Sequence, residues 1–139
     1  MTALSPPSFT TGLWAQQDAA QMVRDLLRKN ADDPKMIVAH MPDKWHRGKP
    51  AVIVVESDGV SRTSRGFTKE IVRIRVQAKD GPAARKLITL VDAFLTTPSP
   101  QRFNIAIRPA TGIIAGPDSR IGGWYASATY TVVSNRKVI

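Results

Sequence analysis

The stretch EIVRIRVQAKDGPAARKLITLVDAFL, residues 70–95, changes its hydrophobic period partway along. At first Val72, Ile74, Val76 and Ala78 alternate with Arg73, Arg75, Gln77 and Lys79, the period of two that gives a strand one apolar and one wet face. After Gly81-Pro82 the apolar residues Ala84, Leu87, Ile88, Val91, Phe94 and Leu95 recur every three or four positions. That spacing predicts an amphipathic helix with Arg85, Lys86, Thr89 and Asp92 outside the stripe. Asp80 is placed to cap it, and Pro82 sits where a missing N–H costs nothing. Pro98 and Pro100 stop it. A strand with one face to bury, followed at once by a helix with one stripe to bury, makes a layer of helix on sheet.

Working outward toward the N-terminus, AVIVV at 51–55 is a continuous β-branched run, which predicts a central strand covered on both faces. MIVAHM at 36–41 reads as a shorter strand, and the polar connection 42–50 has Trp45 as its one large apolar residue, an anchor to the core. From Gly12 to Asn30 the pattern is helical: Ala19, Val23, Leu26 and Leu27 share a face, with Gln16 or Ala15 extending it. Arg28 and Lys29 fall where a helix C-terminus favours cations, and Asp32, Asp33 and Pro34 end it. Residues 1–11, rich in Ser, Thr and Pro, are expected to be a flexible segment ahead of a single domain spanning 12–139.

Toward the C-terminus, Phe103, Ile105 and Ile107 alternate with Asn104, Ala106 and Arg108 in a fourth strand that continues irregularly past Pro109 to Ile114. A glycine-rich turn at 116–123 leads to a last strand, 124–133, in which Trp124, Ala126, Ala128, Tyr130 and Val132 are expected to line the core. The order is therefore α-β-β-β-α-β-β, an α+β fold with two helices packed on a mostly antiparallel or mixed sheet of about five strands. The third strand, second helix and fourth strand can also form a crossover, which would make part of the sheet parallel.

Catalytic and metal-binding patterns are missing from the chain. Its 139 residues contain no cysteine, and the two histidines, His40 and His46, have no zinc spacing. His40 alternates with apolar neighbours and reads as a structural histidine. No nucleophile elbow, P-loop or dinucleotide fingerprint occurs, so neither an enzyme nor a cofactor is expected. No run approaches the roughly 18 apolar residues of a membrane span, so no membrane partner is expected.

The net charge is +9, and residues 44–75 hold eight basic side chains against three acidic ones. Such a patch serves either as a solvated face or as a contact for a polyanion. Within it lies SDGVSRTSRGFTK, residues 57–69, a polar stretch between two strong strands and much longer than a hairpin turn requires. Read as a loop, it is either a floppy excursion or a contact element; Phe67, an apolar residue among cations, favours contact. The candidate interface residues are Arg62, Arg65, Phe67, Lys69, Arg73 and Arg75.

Three segments, PAVIVVES at 50–57, EIVRIRVQAKD with GPAARKLITLVDAFL after it, and DSRIGGWYASATYTVVSNR at 118–136, in the order of elements given above, resemble the tail terminator (tail completion) proteins of long-tailed bacteriophages. The resemblance covers residue 13 to the C-terminus and is carried by patterns, without a catalytic signature. It implies a structural virion protein: a homo-oligomeric, hexameric ring that caps the tail tube, stops its polymerisation and supports head–tail joining. The partners implied are the protein itself, the major tail tube protein and the head–tail connector protein, with phage DNA passing through the channel. The implied location is the head-proximal end of the tail, after assembly in the host cytoplasm. It also implies that the loop at 57–69 is mobile in the free subunit and orders on contact. Two alternatives compete: a neck or head–tail connector component, and a basic nucleic-acid-binding module in which the arginines meet phosphate and Phe67 or Trp45 stacks on a base.

Overall fold

A computed structural model describes residues 12–98 and 105–139; the N-terminal segment 1–11, Pro100, Phe103 and Asn104 lie outside the described residues. In chain order the elements are β1 (Trp14–Ala15), α1 (Ala19–Asn30), a 3₁₀ turn (Pro34–Met36), β2 (Ile37–Val38), β3 (Val52–Thr63), β4 (Phe67–Ala78), α2 (Gly81–Thr96), β5 (Ile105–Pro109), β6 (Ile114–Pro117), β7 (Trp124–Asn135) and β8 (Lys137–Val138). This is the α+β architecture the sequence implied. The main sheet runs β2-β3-β4-β7-β5, with β6 also on β7, and β1 and β8 form a separate antiparallel ribbon. Among the described residues only β2 and β3 are parallel neighbours; every other pairing in the sheet is antiparallel.

Strand β4 is the axis, paired with β3 on one side and β7 on the other. Its period-two pattern holds: Val72, Ile74, Val76 and Ala78 are all buried under the helices, with Ile53 and Val55 of β3 and Ala126, Ala128, Tyr130 and Val132 of β7. Helix α2 closes this core with Ala84, Ile88, Val91 and Leu95, and α1 with Ala19, Ala20, Val23 and Leu27. Because β4 and β5 both run antiparallel to β7, β4-α2-β5 is a crossover between two parallel strands with β7 between them. The crossover reading is thus correct for this connection, while β6 and β7 are antiparallel neighbours joined by the 118–123 turn.

Both caps are as expected of their residues. Asp80 accepts the Ala83 N–H at 2.8 Å at the start of α2. Asp18 accepts the Gln21 N–H at 3.0 Å, so α1 begins at Ala19 and not near Gly12. The residues before it are drawn off instead by β8: Gly12 N–H donates to the Ile139 carbonyl at 2.8 Å and Ile139 N–H to that of Leu13 at 2.9 Å. The strand expected over 36–41 shrinks to Ile37–Val38, because Met36 belongs to the 3₁₀ turn that Pro34 opens. His40 is exposed beyond it, which corrects its reading as a structural histidine of that strand.

Among the described residues, the opposite face of the sheet carries no helix. At one end the connection 42–50 folds onto it, and Trp45, 6% exposed, packs on Val52 and Val54 while its indole N–H donates to the Pro50 carbonyl at 2.9 Å. Both faces of the AVIVV run are therefore covered, by helices on one side and by Trp45 on the other. Beyond this end the face is open.

The largest departure from expectation is at 57–69, which is no loop. β3 continues to Thr63 and β4 starts at Phe67, so the pair forms a hairpin arm closed by Ser64-Arg65-Gly66. Register shifts between Ser57 and Gly59 and between Val60 and Arg62 put two bulges in β3. Gly59 adopts φ +112 in the first, a conformation costly for a residue with a side chain. Bulges break the period of two, and residues 56–63 are all exposed, so no apolar alternation marked them as strand.

Candidate functional site

On β4, Lys69, Arg73 and Arg75 share the face turned away from the helices, and on β3 Arg62 lies directly across from Lys69. Arg108 of β5 joins them, because it pairs with Thr131 of β7, which lies across from Ile71 on that same face. Four of the six expected interface residues, Arg62, Lys69, Arg73 and Arg75, are thus gathered on one open sheet surface. Arg65 stands apart at the exposed tip of the arm. Phe67 is half-buried, and its backbone closes the turn: its carbonyl accepts the Ser64 N–H at 2.9 Å and its N–H donates to the Ser64 hydroxyl at 3.2 Å. The geometry gives Phe67 a local structural task.

The lower part of the open face is a cleft of about 600 Å³ between β4, β7 and the segment 111–120. Arg75 forms an ion pair with Asp118 at 2.7 Å and lies over the Tyr125 ring at 4.7 Å from its centroid. Arg73 pairs with Asp58 at 2.9 Å, a carboxylate delivered by the first bulge. Glu56, Thr111, Ser119, Arg120, Ser127 and Thr129 complete the polar lining, with Ile114 at the rim. Arg62, Lys69, Arg108 and Arg120 form no ion pair among the described residues. Two like charges face each other at Arg62 and Lys69, an arrangement that weakens a sheet and is retained here on the free edge.

Asp118 organises this end of the site. One carboxylate oxygen accepts the N–H groups of Arg120 and Ile121 at 3.0 and 3.1 Å, and the other accepts Arg75 and the Gln77 amide at 2.7 and 3.3 Å. Burial alone would raise its pKa; the backbone N–H groups of Ile121 and Arg120, then Gln77 and the Arg75 charge, hold it below the usual 3.8. Gln77, expected on a wet face, is fully buried, because the 118–123 turn folds over it and the Gly122 carbonyl takes its amide N–H at 2.9 Å. Gly123 makes that fold possible: at φ +72 its missing Cβ would sit 2.4 Å from the Ala78 carbonyl.

Sequence reading missed Arg108, Arg120 and Tyr125. A signal existed for two of them: Arg108 is out of phase with Ile107, and Tyr125 with Ala126, which assigns both to the non-core face. Arg120 lies in a turn, where period carries no information. Trp45, proposed as a stacking platform in the nucleic-acid alternative, is buried and hydrogen-bonded, so it cannot serve. Among the described residues no group of three or more His, Cys, Asp or Glu is placed to hold a metal ion, and no helix is long and apolar enough to cross a membrane.

No protein-family model and no curated protein matches this sequence.

Proposed function

We propose that the protein is a structural virion component, a phage tail terminator: a homo-oligomeric ring that occupies the end of the tail tube, ends its growth and supports head–tail joining. The observation that carries this reading is the order α1-β2-β3-β4-α2-β5-β7, the order on which the resemblance rests, joined to a long hairpin arm whose outer β3 half is exposed and, among the described residues, has no second strand beside it. An edge strand of this kind offers unpaired N–H and C=O groups to a neighbouring chain. The two bulges and the like-charged pair hinder indiscriminate pairing along it, as a strand reserved for one partner requires. Capping needs shape and not chemistry: a tube end is a heterologous surface that keeps adding subunits until something occupies it without presenting the same surface again. No catalytic group is required in this role.

Deletion of the gene tests the reading. Electron micrographs of lysates are expected to show filled heads beside overlong or unjoined tails. Normal tails attached to filled heads would rule the role out, and unstable heads with free tails of normal length would favour a neck component.

A further inference from the structure

We propose that the open face of the sheet binds the phosphate backbone of a nucleic-acid duplex, through Arg62, Lys69, Arg73, Arg75, Arg108 and Arg120. The inference rests on the geometry of this face and does not depend on the tail-cap reading. These six cations come from four separate chain segments and converge on one surface. The three acidic residues on that part of the face, Glu56, Asp58 and Asp118, leave it net positive. The connection 42–50, whose Trp45 packs on the same side of the sheet, carries Lys44, Arg47 and Lys49 against one acidic residue, Asp43.

Three features select phosphate over other anionic partners. First, Arg62, Lys69, Arg108 and Arg120 have no ion-pair partner among the described residues, so binding displaces counterions from them without breaking an internal bond. Second, Arg73 and Arg75 are held in place by Asp58 and Asp118, and each guanidinium has further N–H donors, so they position a phosphate without first losing side-chain freedom. The Ser127 hydroxyl lines the same cleft as an additional donor, and the Thr111 and Thr129 hydroxyls, hydrogen-bonded to each other at 2.8 Å, leave one O–H between them for a ligand. Third, a protein partner would want an apolar centre, and of the large apolar side chains on this face only Ile114, 61% exposed, is strongly exposed.

The same geometry argues for backbone over bases. Single strands are gripped by stacking, but the Tyr125 ring is already covered by Arg75, and Trp45 is buried. Contact should therefore be independent of sequence and should not favour single strands.

The test is fluorescence anisotropy of the full chain with a short labelled DNA duplex, the matching single strand and labelled poly-glutamate over a salt series. The duplex is expected to bind at low salt and to weaken on the order of 100-fold between about 50 and 200 mM if roughly four phosphates are neutralised. Replacing Arg62, Lys69 and Arg108 together by Ala should lower the slope of log affinity against log salt by about 0.9 per cation removed, with the circular dichroism spectrum unchanged. Arg85→Ala with Lys86→Ala, on the exposed face of α2, should leave the slope alone. The inference is overturned by any of four results: no binding at low salt, an unchanged slope in the triple variant, equal loss in the α2 variant, or tighter binding of single strand or poly-glutamate than of duplex.

Discussion

Trp124 and Ile74 both carry large apolar side chains in phase with the core, yet their burial differs. Ile74 is fully buried at the centre of β4, whereas Trp124 is 37% exposed at the first position of β7, its ring against Gly81 where α2 begins. Strand phase identifies the face a residue occupies; it does not say how far the covering helix reaches along that face. For the same reason Ala126, Ala128, Tyr130 and Val132 were legible as core and Trp124 was only half so, while Gln77 was hidden from the sequence by a turn that arrives from more than forty residues away. Ile74→Ala is expected to cost about 2–5 kcal/mol, the full price of a core cavity. Trp124→Ala should cost less, about 1–3 kcal/mol, since a third of its surface never leaves water. Urea denaturation of the two variants decides it, and an equal or larger loss at Trp124 would mean its ring is buried more deeply than its surface indicates.

At the level of elements, the arm formed by β3 and β4 is held down along its length and at its tip. β4 pairs with β7 as far as Phe67 and Asn135, so within the arm, among the described residues, it is the outer half of β3 that lacks a second neighbour. Arg136 then ties three segments together. Its guanidinium donates to the Ser64 carbonyl at 2.5 Å, to the Thr63 hydroxyl and to the Trp14 carbonyl at 2.9 Å, and its own N–H reaches the Gly66 carbonyl at 3.0 Å. An arm fastened this way is not the mobile loop implied by the resemblance. The polar stretch was visible in the sequence as an anomaly, but its conformation was not, since bulges and exposure erase the apolar alternation by which strands are recognised. Arg136→Ala should speed amide hydrogen exchange in residues 61–67 and 12–15 while the amides of Val72, Ile74 and Val76 stay slow. The accompanying loss of global stability should be about 1–2 kcal/mol, because the lost hydrogen bonds are partly solvated. Exchange that quickens equally at the centre of β4 would show that the arm does not open separately from the core.

For the whole molecule, a chain of net charge +9 whose described residues leave one sheet face and one strand edge uncovered has to balance association against self-repulsion. If the chain closes into rings, folding and assembly are linked, since partners that bind only the native state raise apparent stability by mass action. A protein concentration one hundred times the dissociation constant adds about 2.7 kcal/mol, which for a chain of this size raises Tm on the order of 10 °C. Tm is therefore expected to climb with protein concentration. Raising salt to about 0.15 M should strengthen the effect, because it shortens the reach of repulsion between like charges to about 8 Å. Arg62→Ser with Arg65→Ser, which alters the arm but spares Phe67 and the turn it closes, should keep the dilute-solution Tm and flatten the climb if the arm is the contact. Scanning calorimetry over a hundredfold range of concentration, with mass measured by light scattering at each point, reads both quantities together. A Tm that stays level while the mass remains that of one chain, in every salt, would sink the ring; a climb unaffected by the arginine substitutions would keep the ring and move its contact away from the arm.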